Sequence, residues 1–205
     1  MSRRHEILRR AAEIFERKGV AHTSMENIAQ AVGVKREAIY YYFSSREDIL
    51  LEIILPQSSA LLSHFRNAMA TPLSATEKLH EAIRVHLSGY NPGYLEMSVM
   101  LRENHYFKDK KKLSELRTIW HDMTQLWVDL IREGQNNNEF NPNLDPKLAA
   151  FGILGMCNWM SRWFDPSQDA TIPEIIDTFF TLGSQGILRV ENTSTYNSER
   201  AIGSE

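Results

Sequence analysis

A chain of 205 residues with 42% hydrophobic and 24% charged side chains has an ordinary globular composition, which excludes a fibrous class and wholesale disorder. The net charge of -3 argues against a strongly basic nucleic-acid binder, yet residues 1–50 carry nine Lys and Arg against seven Asp and Glu, leaving a mildly basic head on an acidic remainder. One cysteine, Cys157, rules out an intrachain disulfide, the start shows no signal-peptide pattern, and the longest apolar run, residues 149–157, is too short for a bilayer core of roughly 30 Å, so a cytoplasmic protein is expected.

Apolar residues recur at helical spacing nearly throughout, which predicts an all-α protein of about nine helices. The first runs from Arg4 to Lys18, with Leu8, Ala11, Ala12 and Phe15 on one face and Gly19 to end it. Ser24 is a natural cap for a second helix carrying Met25, Ile28, Ala29 and Val32, and Gly33 breaks the chain after it. A third helix is expected from Lys35 to Phe43, and Ser45 followed by Asp48 marks the start of a fourth, which Pro56 should kink or split. Five more are expected at about 74–89, 93–105, 109–135, 145–164 and 173–189. The polar stretch Glu191–Glu205 reads as a disordered tail, so the domains fall at 1–50, 51–190 and 191–205.

Two short amphipathic helices meeting at Gly33-Val34 have the layout of a helix-turn-helix, in which the second helix braces the third in the major groove. Lys35, Arg36 and Glu37 sit at the start of the third helix, where side chains reach base edges. Tyr40, Tyr41 and Tyr42 suit phosphates, sugars and thymine methyls, although core or dimer contacts would also use tyrosine. Three successive helix positions cannot all face one core.

Taken jointly, Ala11-Ala12, Phe15, Gly19, Thr23-Ser24, Ile28-Ala29, Ala31, Gly33-Val34, Ile39 to Phe43 and Ser45-Arg46-Glu47 resemble the tetracycline-repressor (TetR) family of bacterial regulators over residues 5–51. The resemblance implies that Lys35, Arg36, Glu37, Ala38 and Tyr41 meet bases and that Thr23, Tyr40, Tyr42 and Arg46 meet phosphates, with Ser24 beside them. Lys35 and Glu37 depart from the small residues frequent in the family, so the operator sequence is not inherited. A larger effector domain and a dimer through the last two helices are also implied. Gly152 with Gly155 and Gly183 with Gly186 put small residues one turn apart on those two helices, as a close dimer interface or plain intrachain packing would.

The stripe Leu113, Leu116, Trp120, Met123 and Trp127 and the cluster Asn158, Trp159, Arg162 and Trp163 fit either a packed core or a pocket for an amphipathic molecule, with Met97, Met100, Arg102 and Phe107 as further candidates. Trp127, Leu130-Ile131, Glu133-Gly134, Phe140, Pro142, Leu144-Asp145-Pro146, Asn158-Trp159 and Arg162-Trp163 also resemble the family's acyl-coenzyme A-responsive regulators of fatty-acid catabolism. This implies an acyl-coenzyme A effector and no other cofactor. Asn138-Glu139 stands where a glycine is frequent, and asparagine tolerates the left-handed conformation such a turn needs. The alternative is a repressor of efflux genes that senses drugs or other lipophiles. Arg102 and the cluster Lys108 to Lys112 lean toward an anion. No catalytic or metal motif occurs, and His80 and His86 do not share a helix face, so a non-enzymatic regulator is expected, with operator DNA, a second copy of the chain and a small-molecule effector as partners.

Overall fold

The computed structural model describes residues 2–88, 113–165, 167 and 170–185. The expected helix at 93–105, residues 109–112 and 186–189 of its neighbours, and the expected tail lie outside the described residues. Eight helices and no strand occur among those described: α1 (Arg3–Lys18), α2 (Met25–Val32), α3 (Arg36–Tyr40), α4 (Arg46–Met69), α5 (Ala75–Ser88), α6 (Ser114–Asn136), α7 (Pro146–Trp163) and α8 (Ile172–Gln185).

Local chemistry sets the ends of these helices. The Ser24 hydroxyl accepts from Asn27 N–H while the Asn27 side chain bonds back to Ser24 N–H, a reciprocal cap on α2. Gly33 closes α2 at φ 75°, ψ 34°, a left-handed turn that Gly adopts without steric cost. Ser45 caps α4 through Asp48 N–H at 3.2 Å. Asp145 caps α7, with Pro146 in its first turn, where its missing N–H is no loss. One expectation needs revision: the regular part of α3 ends at Tyr40, short of Phe43. Of the two outcomes expected at Pro56, the split does not occur, since α4 is a single helix through it. Proline removes one intrahelical bond, and packing on both sides of α4 outweighs that local loss.

The helices bury two cores. The first packs Ile7, Ala11, Phe15, Ile28, Ile39, Ile49, Leu50 and Ile54, and it also takes in Leu113 and Leu116 from the entry to α6. The second packs Phe65, Leu79, Ile83, Trp127, Ile131, Ala150, Cys157, Met160 and Ile176 from α4 to α8. The expected domain boundary at residue 50 therefore falls inside α4, which contributes to both cores.

Candidate nucleic-acid interface and effector domain

The head presents α3 outward on a locked base. Ile39 is fully buried beneath it, and Val34 N–H bonds the Ala29 carbonyl at 3.0 Å across the turn between α2 and α3. Lys35, Arg36, Glu37 and Ala38 are exposed, as are Tyr40 and Tyr41, the latter 83% so. The Arg36 guanidinium donates to the Tyr40 hydroxyl at 2.9 Å and lies over its ring, so this pair is ordered without any nucleic acid. The hydrogen bond to Tyr40 also pushes the Arg36 pKa up, fixing its positive charge. Tyr42 differs from its two neighbours: it is half-buried against the head core, with its ring edge-on to Tyr41 at 4.9 Å.

Two residues expected at phosphates make hydrogen bonds within the protein. Thr23 is buried and its hydroxyl donates to the Gly19 carbonyl at 2.9 Å. Arg46 Nη1 donates to the carbonyls of Thr23, Val20 and Ala21 at 2.8, 3.1 and 3.3 Å, and Nε to Glu47 at 3.1 Å. Arg46 thus pins the loop between α1 and α2 to the start of α4. Ser24 is exposed at the N-terminus of α2, where unpaired N–H groups and the helix dipole favour a phosphate.

The ligand candidates divide into three groups. Trp127 is fully buried against Phe65, with ring centroids 5.0 Å apart; Met123 shares its core, and Asn158 reaches inward to His86 at 2.9 Å. Trp120 packs instead against the head core. Trp159, Arg162 and Trp163 lie exposed on the outer side of α7, with Arg162 stacked over the Trp159 ring. The sequence grouped Asn158 with these three, but Trp159 and Trp163 lie about 100° and 140° round the helix from it, and Arg162, only about 40° away, turns out over the Trp159 ring. Met97, Met100, Arg102 and Phe107 lie outside the described residues.

Leu148, Phe151, Trp159 and Trp163 form an exposed apolar stripe along α7, at 71, 47, 62 and 46% exposure, and Leu182 on α8 is exposed as well. Gly152 and Gly155 lie in this stripe, and among the described residues a Cβ on either would meet nothing within 4 Å. A Cβ on Gly183 would meet Ile153 at 3.6 Å, an ordinary intrachain contact, and Gly186 lies outside the described residues. Sequence reasoning missed His86, whose buried contact with Asn158 and Trp127 has no signature in spacing. Among the described residues no His, Cys, Asp and Glu cluster could hold a metal, and no helix is long and apolar enough to cross a membrane.

An exposed short helix carrying Lys, Arg and Tyr, braced by a second helix across a tight glycine turn, defines a helix-turn-helix DNA-binding unit. Residues 7–53 match the family model for bacterial regulatory proteins of the tetR family, and residues 72–187 match that for the tetracyclin repressor-like C-terminal domain. The chain belongs to the TetR family of transcriptional regulators, and it is a regulator rather than an enzyme. It is 24% identical over 187 residues to the HTH-type transcriptional repressor KstR2 of Mycolicibacterium smegmatis, covering 91% of each chain. The TetR family regulator PfmR of Thermus thermophilus superimposes with a TM-score of 0.78 at 28% identity, over 89% of this chain and 99% of that one. AibR, solved in complex with isovaleryl coenzyme A and operator DNA, shares the fold with a TM-score of 0.76 at 21% identity, over 88% and 97% of the two chains.

Proposed function

We propose that the protein is a homodimeric repressor that acts in the cytoplasm, holds a roughly palindromic operator through α3 of each subunit, and releases it when an acyl-coenzyme A thioester enters the larger domain. The observation that carries this reading is the exposed set Lys35 to Ala38, Tyr40 and Tyr41 above the buried Ile39, with the Arg36–Tyr40 pair already formed. A five-residue helix reads few base pairs, so two heads set one helical turn apart, about 34–36 Å, are needed for specificity. The apolar stripe on α7, with Leu182 on α8, supplies the surface for the second copy.

The effector assignment is supported by the aromatic interior around Trp127, by the basic residues Arg102 and Lys108 to Lys112 as phosphate partners, and by the likeness to AibR. Effector and operator then oppose each other by reciprocal linkage, with a coupling on the order of 1–3 kcal/mol. The test is a titration of the protein–operator complex with acyl-coenzyme A esters of several chain types, with the free acids and a cationic dye as controls. Release by thioesters alone is expected, and release by the dye alone would overturn the effector assignment in favour of a drug sensor controlling efflux.

A further inference from the structure

Among the described residues, and besides Ser58 Oγ on α4, two side-chain atoms shut off from solvent in the larger domain have no hydrogen-bond partner: Nδ1 of His86 on α5 and the indole Nε1–H of Trp127 on α6. Their rings are neighbours, with centroids 6.1 Å apart and planes at 76°. An unpaired buried polar atom forfeits the bond that water gave it in the unfolded chain, so native cores rarely keep one without a use for it. Here two stand side by side, the indole in the second core with Phe65 against its ring and the half-buried imidazole beside it.

The surroundings define what they can hold. His86 Nε2 lies 2.9 Å from Asn158 Oδ1 on α7, so with the amide oxygen accepting, Nε2 carries the proton and Nδ1 is a bare acceptor. Burial pushes the His86 pKa down, against a smaller upward pull from Asn158, so the ring is neutral at physiological pH. The pair therefore offers one acceptor and one donor without charge. A hydroxyl carries both the donor and the acceptor that would match them. A carbonyl oxygen satisfies the indole and, with the Asn158 amide turned over, takes a second bond from Nδ1–H. An ammonium or carboxylate would bring a charge that two neutral rings do not compensate.

We propose that His86 and Trp127 form the polar end of the effector site and grip a largely apolar effector by an uncharged oxygen, a hydroxyl or a carbonyl such as that of a thioester. The proposal rests on the reading above in placing an effector in this domain, and it names the atoms that orient it. The test uses the full chain labelled with nitrogen-15, following the Trp127 indole N–H resonance, which is assigned by replacing Trp120, Trp159 and Trp163 with Phe in turn. The probes are a straight-chain alcohol, methyl ketone, alkane and alkylammonium of equal length. The alcohol and ketone should bind about tenfold more tightly than the other two and move the Trp127 resonance. His86→Phe should abolish that preference while leaving alkane binding and operator affinity intact. An alkane that binds as tightly as the alcohol, or a Trp127 resonance that stays put, would overturn the proposal and leave the two rings to a resident water. Thioesters that fail to release operator while the alcohol still moves Trp127 would sink the effector assignment alone. Thioesters that release operator without moving Trp127 would sink this site alone.

Discussion

Arg36 and Arg46 carry the same charge and lie ten positions apart, yet their surroundings assign them different work. Arg36 is exposed and held by one neutral hydroxyl, so most of its donors remain available to a base. Arg36→Ala should relax base preference on the order of tenfold at one position of a selected operator while thermal unfolding is unchanged. Arg46 spends its donors on three carbonyls, so Arg46→Ala should destabilise the head by about 1–3 kcal/mol, and any loss of DNA binding should track the loss of folded protein. A phosphate contact would show the opposite pattern, with affinity lost and the melting temperature kept. Cys157 makes a similar contrast with a reactive thiol: burial pushes its pKa up to about 12, so thiol reagents should label it only as the protein unfolds.

At the scale of single elements, the turn after α6 shows how a short segment joins three helices. Asn138 takes φ 59°, the left-handed conformation anticipated from its side chain, and Glu139 and Phe140 N–H both bond the Gly134 carbonyl. The Phe140 ring then lies where a Cβ on Gly134 would fall, 2.1 Å from the nearest ring atom, so Gly134→Ala should displace the ring and cost about 1–3 kcal/mol in chemical denaturation. The Glu139 carboxylate turns to the free N–H groups of Ala75 and Thr76 at the start of α5, and those bonds hold its pKa below the ordinary 4.5. A carboxylate with a depressed folded-state pKa stabilises fully above its unfolded value and loses that contribution as pH falls through the folded one. Glu139→Gln should therefore be less stable than wild type at neutral pH, with the gap closing as pH falls below the ordinary 4.5 and through the depressed folded value, as acid titration is followed by circular dichroism. The ends of α2 and the start of α4 were legible in the sequence because Ser24, Gly33 and Ser45 act locally. The inside and outside of α7 were not, since Ile153, Cys157 and Met160 on one side and Phe151, Trp159 and Trp163 on the other are all apolar, and periodicity cannot sort two apolar faces. Tyr40 and Tyr41 could be separated from the core by position alone, but the half-burial of Tyr42 depends on where α3 ends.

At the scale of the molecule, the exposed face of α7 yields a clean test of assembly. A Cβ at Gly155 meets nothing within 4 Å among the described residues, so Gly155→Leu should leave each protomer folded by circular dichroism yet obstruct a partner. Light scattering at micromolar concentration should then find wild type at dimer mass and the variant shifted toward monomer, because overpacking an interface costs about 1–3 kcal/mol or more. A wild-type monomer mass would refute the dimer. The arrangement of α6 reaches further, because Leu113 and Leu116 complete the core under the reading head while Trp127, about three turns on, sits in the core of the larger domain. Arg66 on α4 ties to Asp122 at 2.7 Å between those two points. The two halves of this chain are thus not modular. A hybrid joined after α4 would seat its head on another protein's α6, and it should fold only where that helix presents two large aliphatic residues in the register of Leu113 and Leu116. Exchange of one DNA specificity for another is consequently confined to the exposed positions of α3, which can change without disturbing the shared interior, whereas replacement of the whole head must bring the first turn of α6 with it.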